Sequence, residues 1–251
     1  MASAYIAACK AANCRVVGAV TASFEGAVSY PELNLAGNRV VELLDKRLQD
    51  LDVAPITVAL QDSNPFRAID MSYNRLGAGA AESLRQLIAS DTTISRLDLS
   101  ENDMTESAAQ SLAAGLVSNT AILELHLSGN HLRSAGGIAM ADVLQNNRTL
   151  KKLYLRNCEL NVASLVAIAT VLRDNVTLEV LDVSRPLGEG LMDEHAQHFA
   201  RMLKVNTGLK ELRLAHAGIS DFGLYIASRD PNRTPARCRC TAPCGPVSPG
   251  L

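Results

Sequence analysis

Four blocks of this sequence stand 28 residues apart without slippage: IDMSYNRL from Ile69, LDLSENDM from Leu97, LHLSGNHL from Leu125 and LYLRNCEL from Leu153. An apolar residue precedes each block by three positions, at Phe66, Ile94, Ile122 and Leu150, completing the pattern L-x-x-L-x-L-x-x-N/C-x-L. A fixed period of this length means that one supersecondary unit is stacked on copies of itself, because a single unit cannot bury its own apolar face. LDVSRPL at 181 keeps the period, and LNLAGNRV at 33 and LRLAHAGI at 212 extend the run with looser spacing, giving seven units.

Within a block the apolar residues alternate, as in Leu97 and Leu99 around Asp98, so the leucines point inward and the residue between them outward. Between blocks the chain is rich in Ala and Leu, with apolar residues at Ala108, Leu112 and Leu116, a helical spacing. Each unit therefore reads as strand, turn, helix, turn. Parallel strands stack ~4.8 Å apart and helices with their side chains are ~10 Å wide. The fold class expected is α/β: a right-handed solenoid of about seven such repeats, bent into an arc with a parallel β-sheet on the concave face and helices on the convex face.

These blocks, over residues 30–226, resemble leucine-rich repeat proteins of the ribonuclease-inhibitor subtype, whose units are about this long. The resemblance implies binding rather than catalysis. It also implies that the N/C position of each block is an inward rung. Asn38, Asn74, Asn102, Asn130 and Cys158 occupy it, and a buried amide there would satisfy backbone groups of neighbouring turns. Cysteine is small, tolerates burial and carries a weak thiol donor, so Cys158 is expected to be a rung too. A nucleophile would need an exposed thiolate near positive charge.

Residues 1–29 are expected to form an N-terminal helical cap, a helix and strand covering the open core of the first repeat, as solenoid ends require. The repeat domain spans 30–228. The seventh helix breaks off into RDPNRTPARCRCTAPCGPVSPGL, and 229–251 reads as a disordered tail rich in Pro and Cys. Two readings of that broken end stand side by side: a truncated or alternatively spliced chain, or an apolar end covered by a partner. In the second case the chain is not a simple monomer.

The formal net charge of −2 and the 47% hydrophobic content describe a globular chain with no broad basic field for nucleic acid. No basic segment precedes an unbroken apolar run at the start, and no 18 consecutive apolar residues occur, so neither a signal peptide nor a membrane span is read. The expected setting is intracellular, cytoplasmic or nuclear, with the six cysteines as reduced thiols.

Four motifs tempt other readings. Gly77 and Gly79 precede a helix with Asp98 some twenty residues on, imitating a dinucleotide fingerprint, but Glu82 replaces the third glycine. Gly77 is also equivalent to Thr105, Arg133 and Asn161, so a plain helix entry is the simpler account. The sequons at Asn147 and Asn175 stand 28 residues apart on a ladder with Asn119, where asparagine ends a helix because it tolerates a left-handed backbone, and Asn232 begins a third sequon off that ladder. Cys238, Cys240 and Cys244 are half a zinc site without a fourth ligand, and they lack the tryptophan of the cysteine cap they resemble. His195 and His198 lack zincin spacing and read as a solvated helix start. No catalytic residues, metal or cofactor are expected.

Function is then sought among outward strand residues. The central column is Asn34, Asp70, Asp98, His126, Tyr154, Asp182 and Arg213. The column before it is Glu32, Ala68, Arg96, Glu124, Lys152, Val180 and Glu211. Lys152, Tyr154 and Arg156 share one strand with His126 beside it, and tyrosine and arginine are the types that dominate interface energy. His126, Lys152, Tyr154, Arg156, Asp98, Asp182 and Arg213 are the expected partner contacts. A protein partner is expected, because a shallow sheet lacks the enclosed cavity of small-ligand sites. The leading function is a non-enzymatic interaction module or scaffold. The alternatives implied by the resemblance are a GTPase-activating regulator of the Ran activator type and a component of an actin-capping or axonemal assembly.

Overall fold

The computed structural model describes residues 1–26, 32–37, 47–61, 64–186, 188, 194–217 and 237–239. After two helices, α1 (Ala2–Ala11) and α2 (Gly18–Glu25), strands and helices alternate. They are β1 (Glu32–Asn34), α3 (Asp50–Gln61), β2 (Ala68–Asp70), α4 (Ala78–Ser90), β3 (Arg96–Asp98) and α5 (Glu106–Leu116). There follow β4 (Glu124–His126), α6 (Arg133–Asn146), β5 (Lys152–Tyr154), α7 (Val162–Val171), β6 (Val180–Asp182), α8 (Glu194–Leu203), β7 (Glu211–Arg213) and β8 (Arg237–Arg239). The strands form one parallel sheet in the order of the chain. Helices likewise pack on their sequence neighbours, α3 on α4, α4 on α5 and so on to α8. This is the α/β solenoid that the periodicity predicts.

The register follows the repeat. Ile69, Leu97, Leu125, Leu153, Leu181 and Leu212 are aligned across β2–β7 and buried. From the helical side Leu84, Leu112, Met140 and Ile168 meet them, again 28 apart and fully buried. Removing side chains of this kind from such a core costs ~2–5 kcal/mol each.

Three residues after each of β2–β6 the chain passes through a left-handed residue. Tyr73, Glu101, Gly129, Asn157 and Arg185 have φ of 56°, 56°, 74°, 56° and 49°. Only one of the five is glycine, the residue that adopts this conformation without strain. The backbone N–H of each still donates to the next repeat, Tyr73 to Ser100 O and Glu101 to Ser128 O. The kink is thus built into the ladder, and it turns the following rung inward.

Two helices, not a helix and a strand, precede the first repeat strand. α1 packs on α3 and on α2, and Tyr5 meets Phe24 edge to face, which in turn stacks on Phe66 of the repeat core. Arg15 clamps the buried Asp52 of α3 with two bonds of 2.9 and 2.7 Å. Most of the tail lies outside the described residues, as does the segment after β7 where the helix of the seventh repeat is expected. Arg237–Arg239 depart from the expectation of disorder, because they add an eighth strand to β7.

Candidate partner-binding face

Three residues per repeat make the concave face, and the register places them as columns. Asn34, Asp70, Asp98, His126, Tyr154, Asp182 and Arg213 are successive partners across β1–β7. Asn34, Asp70, Asp98 and Asp182 share a local task. Each accepts, through a side-chain oxygen, the backbone N–H two residues on: Ala36, Ser72, Ser100 and Ser184, at 2.9–3.1 Å. Such turns satisfy a group that the end of a short strand would leave open.

Tyr154 and Arg213 carry no such short side-chain oxygen. In their repeats the N–H two residues on is met instead by a serine hydroxyl of the preceding repeat, Arg156 N–H by Ser128 Oγ and Ala215 N–H by Ser184 Oγ, both at 3.2 Å. Freed from the turn, these side chains interact with one another. The rings of His126 and Tyr154 stack at 4.2 Å with 19° between planes, and the Arg213 guanidinium lies 5.8 Å from the Tyr154 ring centre, within cation–π range.

Charges frame the stack. Glu124 receives His126 Nε2 at 2.7 Å and Lys152 Nζ at 2.9 Å. Its burial works to raise the carboxyl, but the bonds from Lys152 and His126 outweigh that and hold it below the usual carboxylate range. The bond to Glu124 raises Lys152 in turn. Burial, then the Glu124 charge, pushes the Tyr154 hydroxyl up, so the ring is neutral at physiological pH. Asp98 lies 3.9 Å from His126 Nδ1, and Asp182 lies 3.6 Å from Arg213, which is bonded to Glu211 at 2.9 Å.

The structure thus brings His126, Tyr154, Arg213 and Lys152 into one connected set flanked by Asp98 and Asp182. Arg156 stands apart, exposed on the turn after β5. Asp182 is 7% exposed, so it shapes charge more than it offers contact area.

The rungs lie behind this face. Asn74, Asn102 and Asn130 are buried, and each amide donates to carbonyls of its own and the preceding repeat while accepting one backbone N–H. Cys158 is fully buried and donates to Leu127 O at 3.2 Å. Burial pushes its thiol up to about 12, the reverse of what a nucleophile needs. Asn38 falls outside the described residues.

A second ladder was missed as such. Asn119, Asn147, Asn175 and Asn206 are buried, donate across to the preceding repeat and accept N–H groups of their own loop. The left-handed explanation is wrong for Asn147, whose backbone is extended (φ −75°, ψ 134°); side-chain bonding is the reason for asparagine. The amide nitrogens at two sequons are therefore occupied and enclosed. The helix entry at Gly77 and Gly79 is likewise filled, because Asp50 accepts both N–H groups at 2.6 and 3.0 Å. His195, expected on a solvated helix start, is buried in the core side of α8.

The fold and the rungs define a leucine-rich repeat solenoid. A family model described as Leucine Rich repeat matches residues 90–113, 118–141 and 146–169. Among curated proteins nothing matches. Among solved structures the chain is similar to the tropomodulin C-terminal domain of Caenorhabditis elegans, at 14% identity and a TM-score of 0.48, covering 59% of this chain and 89% of that one. It is also similar to the structure of leiomodin-1 actin-binding site 2, at 15% identity and a TM-score of 0.42, covering 75% of this chain and 87% of that one. Neither likeness assigns a partner to this chain.

Proposed function

We propose that this chain is a non-enzymatic interaction module or scaffold that binds a protein partner on its concave face. The contact is centred on Tyr154 and His126, with Lys152, Arg156 and Arg213 around them and Asp98 and Asp182 setting the local charge. The observation that carries this reading is the half-exposed stack of His126 and Tyr154 under the Arg213 guanidinium. Aromatic and arginine side chains dominate interface energies, and a sheet that already holds them in place loses little freedom on binding. The open, shallow face favours a protein over a small molecule.

The same reading places the chain inside the cell, in cytoplasm or nucleus, as a monomer with reduced thiols. No helix among the described residues is long and apolar enough to cross a membrane. The test is proximity labelling of the intact chain beside a Tyr154→Ala, Arg156→Ala double variant, followed by affinity measurements on the partners that differ. A loss of ~30-fold or more is expected for a contact of this type. Partners whose affinities are all unchanged would remove the assignment.

A further inference from the structure

Where the strands enter the sheet, the concave rim carries a groove of about 440 Å³. Arg67, Arg96, Lys151 and Lys152 line it, against the carboxylates of Glu32 and Glu124. Four cations to two anions give the groove a positive balance on a chain whose net charge is −2. Its shape comes from Ala68, the smallest member of its column, whose other members lining the groove are Glu32, Arg96, Glu124 and Lys152. The missing side chain leaves a hollow, and Leu123 adds an apolar wall that is 39% exposed.

The cations of this groove are incompletely answered. Arg96 stands among three carboxylates, Glu32 at 3.7 Å, Asp98 at 3.5 Å and Glu124 at 3.8 Å, at the far edge of hydrogen-bond range or beyond it. Its Nε is buried without a hydrogen-bond partner. Such a donor costs stability unless something supplies an acceptor. Glu124 is already engaged by Lys152 and His126. Lys151 reaches Glu179 only at 3.5 Å, and Glu179 holds Lys210 at 2.7 Å. Arg67 is exposed and enters no ion pair among the described residues.

We propose that this groove takes an aspartate or glutamate side chain of an acidic protein segment, seated in the hollow at Ala68 with its carboxylate against Arg96 and Arg67 and the next acidic residue toward Lys151. The proposal rests on the concave face being a protein-binding surface, and it names the chemistry of the partner. Glu32 and Glu124 favour a polypeptide over a polyphosphate or an anionic membrane. They repel dense negative charge but can accept peptide N–H groups, while Leu123 and Ala68 suit an aliphatic stem.

A displayed random-peptide library panned on the full chain tests this. The parallel arms are an Arg67→Glu, Lys151→Glu double variant and a Tyr154→Ala variant, each checked for an unchanged far-ultraviolet spectrum. The wild type is expected to enrich peptides with clustered Asp and Glu. Their affinity should fall about tenfold in the double variant, from two exposed ion pairs turned repulsive, and rise as salt is lowered. A selection without acidic enrichment, acidic peptides indifferent to the double variant, or their displacement by a short RNA or phosphatidylserine vesicles at equal charge would overturn the groove. Peptides lost with Tyr154→Ala but kept in the double variant would overturn it while leaving the concave-face reading standing. Selected peptides indifferent to both variants would remove the two together.

Discussion

Replacing Asn102 by alanine tests whether the rungs hold the solenoid, and the network allows the size of the loss to be worked out. The Asn102 amide donates to Met71 O, Leu99 O and Ser100 O at 3.0, 3.0 and 3.2 Å and accepts Leu76 N–H at 3.1 Å. The three carbonyls each keep another donor after the change: Asn74 Nδ2 for Met71, Asn130 Nδ2 for Leu99 and Tyr73 N–H for Ser100. Their losses belong at the low end, ~0.5 kcal/mol each. Leu76 N–H has no other acceptor among the described residues and is stranded in the interior, at ~1–3 kcal/mol. The expected cost is therefore about 2.5–4.5 kcal/mol. Asn102→Cys should lose less, about 1–2 kcal/mol, because a thiol in this position can still donate, as Cys158 does to Leu127 O. Urea titration followed by circular dichroism measures both. Hydrogen exchange supplies the local readout, since Leu76 should lose protection while Ile168, two repeats beyond, keeps it. An alanine variant that loses under 1 kcal/mol, or one no worse than the cysteine variant, would refute the reasoning.

Three further outcomes follow from single contacts. Cys158, fully buried with its thiol pushed up to about 12, should resist iodoacetamide at pH 8 in the folded chain and react at once in denaturant, as mass spectrometry will show. Gly137→Ala should destabilise the α6–α7 contact by ~1–3 kcal/mol, because a Cβ there would stand 2.5 Å from Ser164 Cβ; a melting temperature at or above wild type would contradict this. The Lys152–Glu124 pair gives stability that is present above the ordinary carboxyl value of ~4.3 and is lost as pH falls through the depressed Glu124 value. On the alkaline side it persists below the ordinary lysine value of ~10.4 and is lost as pH rises through the raised Lys152 value. Lys152→Met should therefore flatten both limbs of the thermal stability profile, modestly, since Lys152 is partly exposed.

How much of this was legible depended on whether a contact obeyed the period. Ile69, Leu97, Leu125 and Leu153 announce strand, register and buried face together, because a slip of one residue would turn every leucine outward. Asn74, Asn102 and Asn130 follow for the same reason. The second ladder at Asn119, Asn147 and Asn175 was equally periodic, and its 28-residue spacing was the signal for a structural task. The clamp of Arg15 on Asp52 was hidden, because nothing periodic relates two residues 37 apart. His195 was misjudged because the buried side of α8 is set by α7, which α8 packs against, and not by its own short run of polar neighbours.

The central column shows how the same period separates structural residues from candidate functional ones. Where the residue is Asn or Asp, its oxygen closes the turn two positions on, so an acid at Asp98 or Asp182 has a task even if nothing binds. Tyr154 and Arg213 abandon that task, and a serine of the preceding repeat takes it over at each of them. Substituting Ser128 or Ser184 should therefore loosen the turns after β5 and β7 while leaving those after β2 and β3 unchanged. Two repeats thus depend on a neighbour for a bond that the repeats of β1, β2, β3 and β6 make alone. What that dependence leaves free is Tyr154, which stacks on His126, and Arg213, which faces the Tyr154 ring, and it is there, rather than at the acids, that the solenoid presents a surface its own folding does not require.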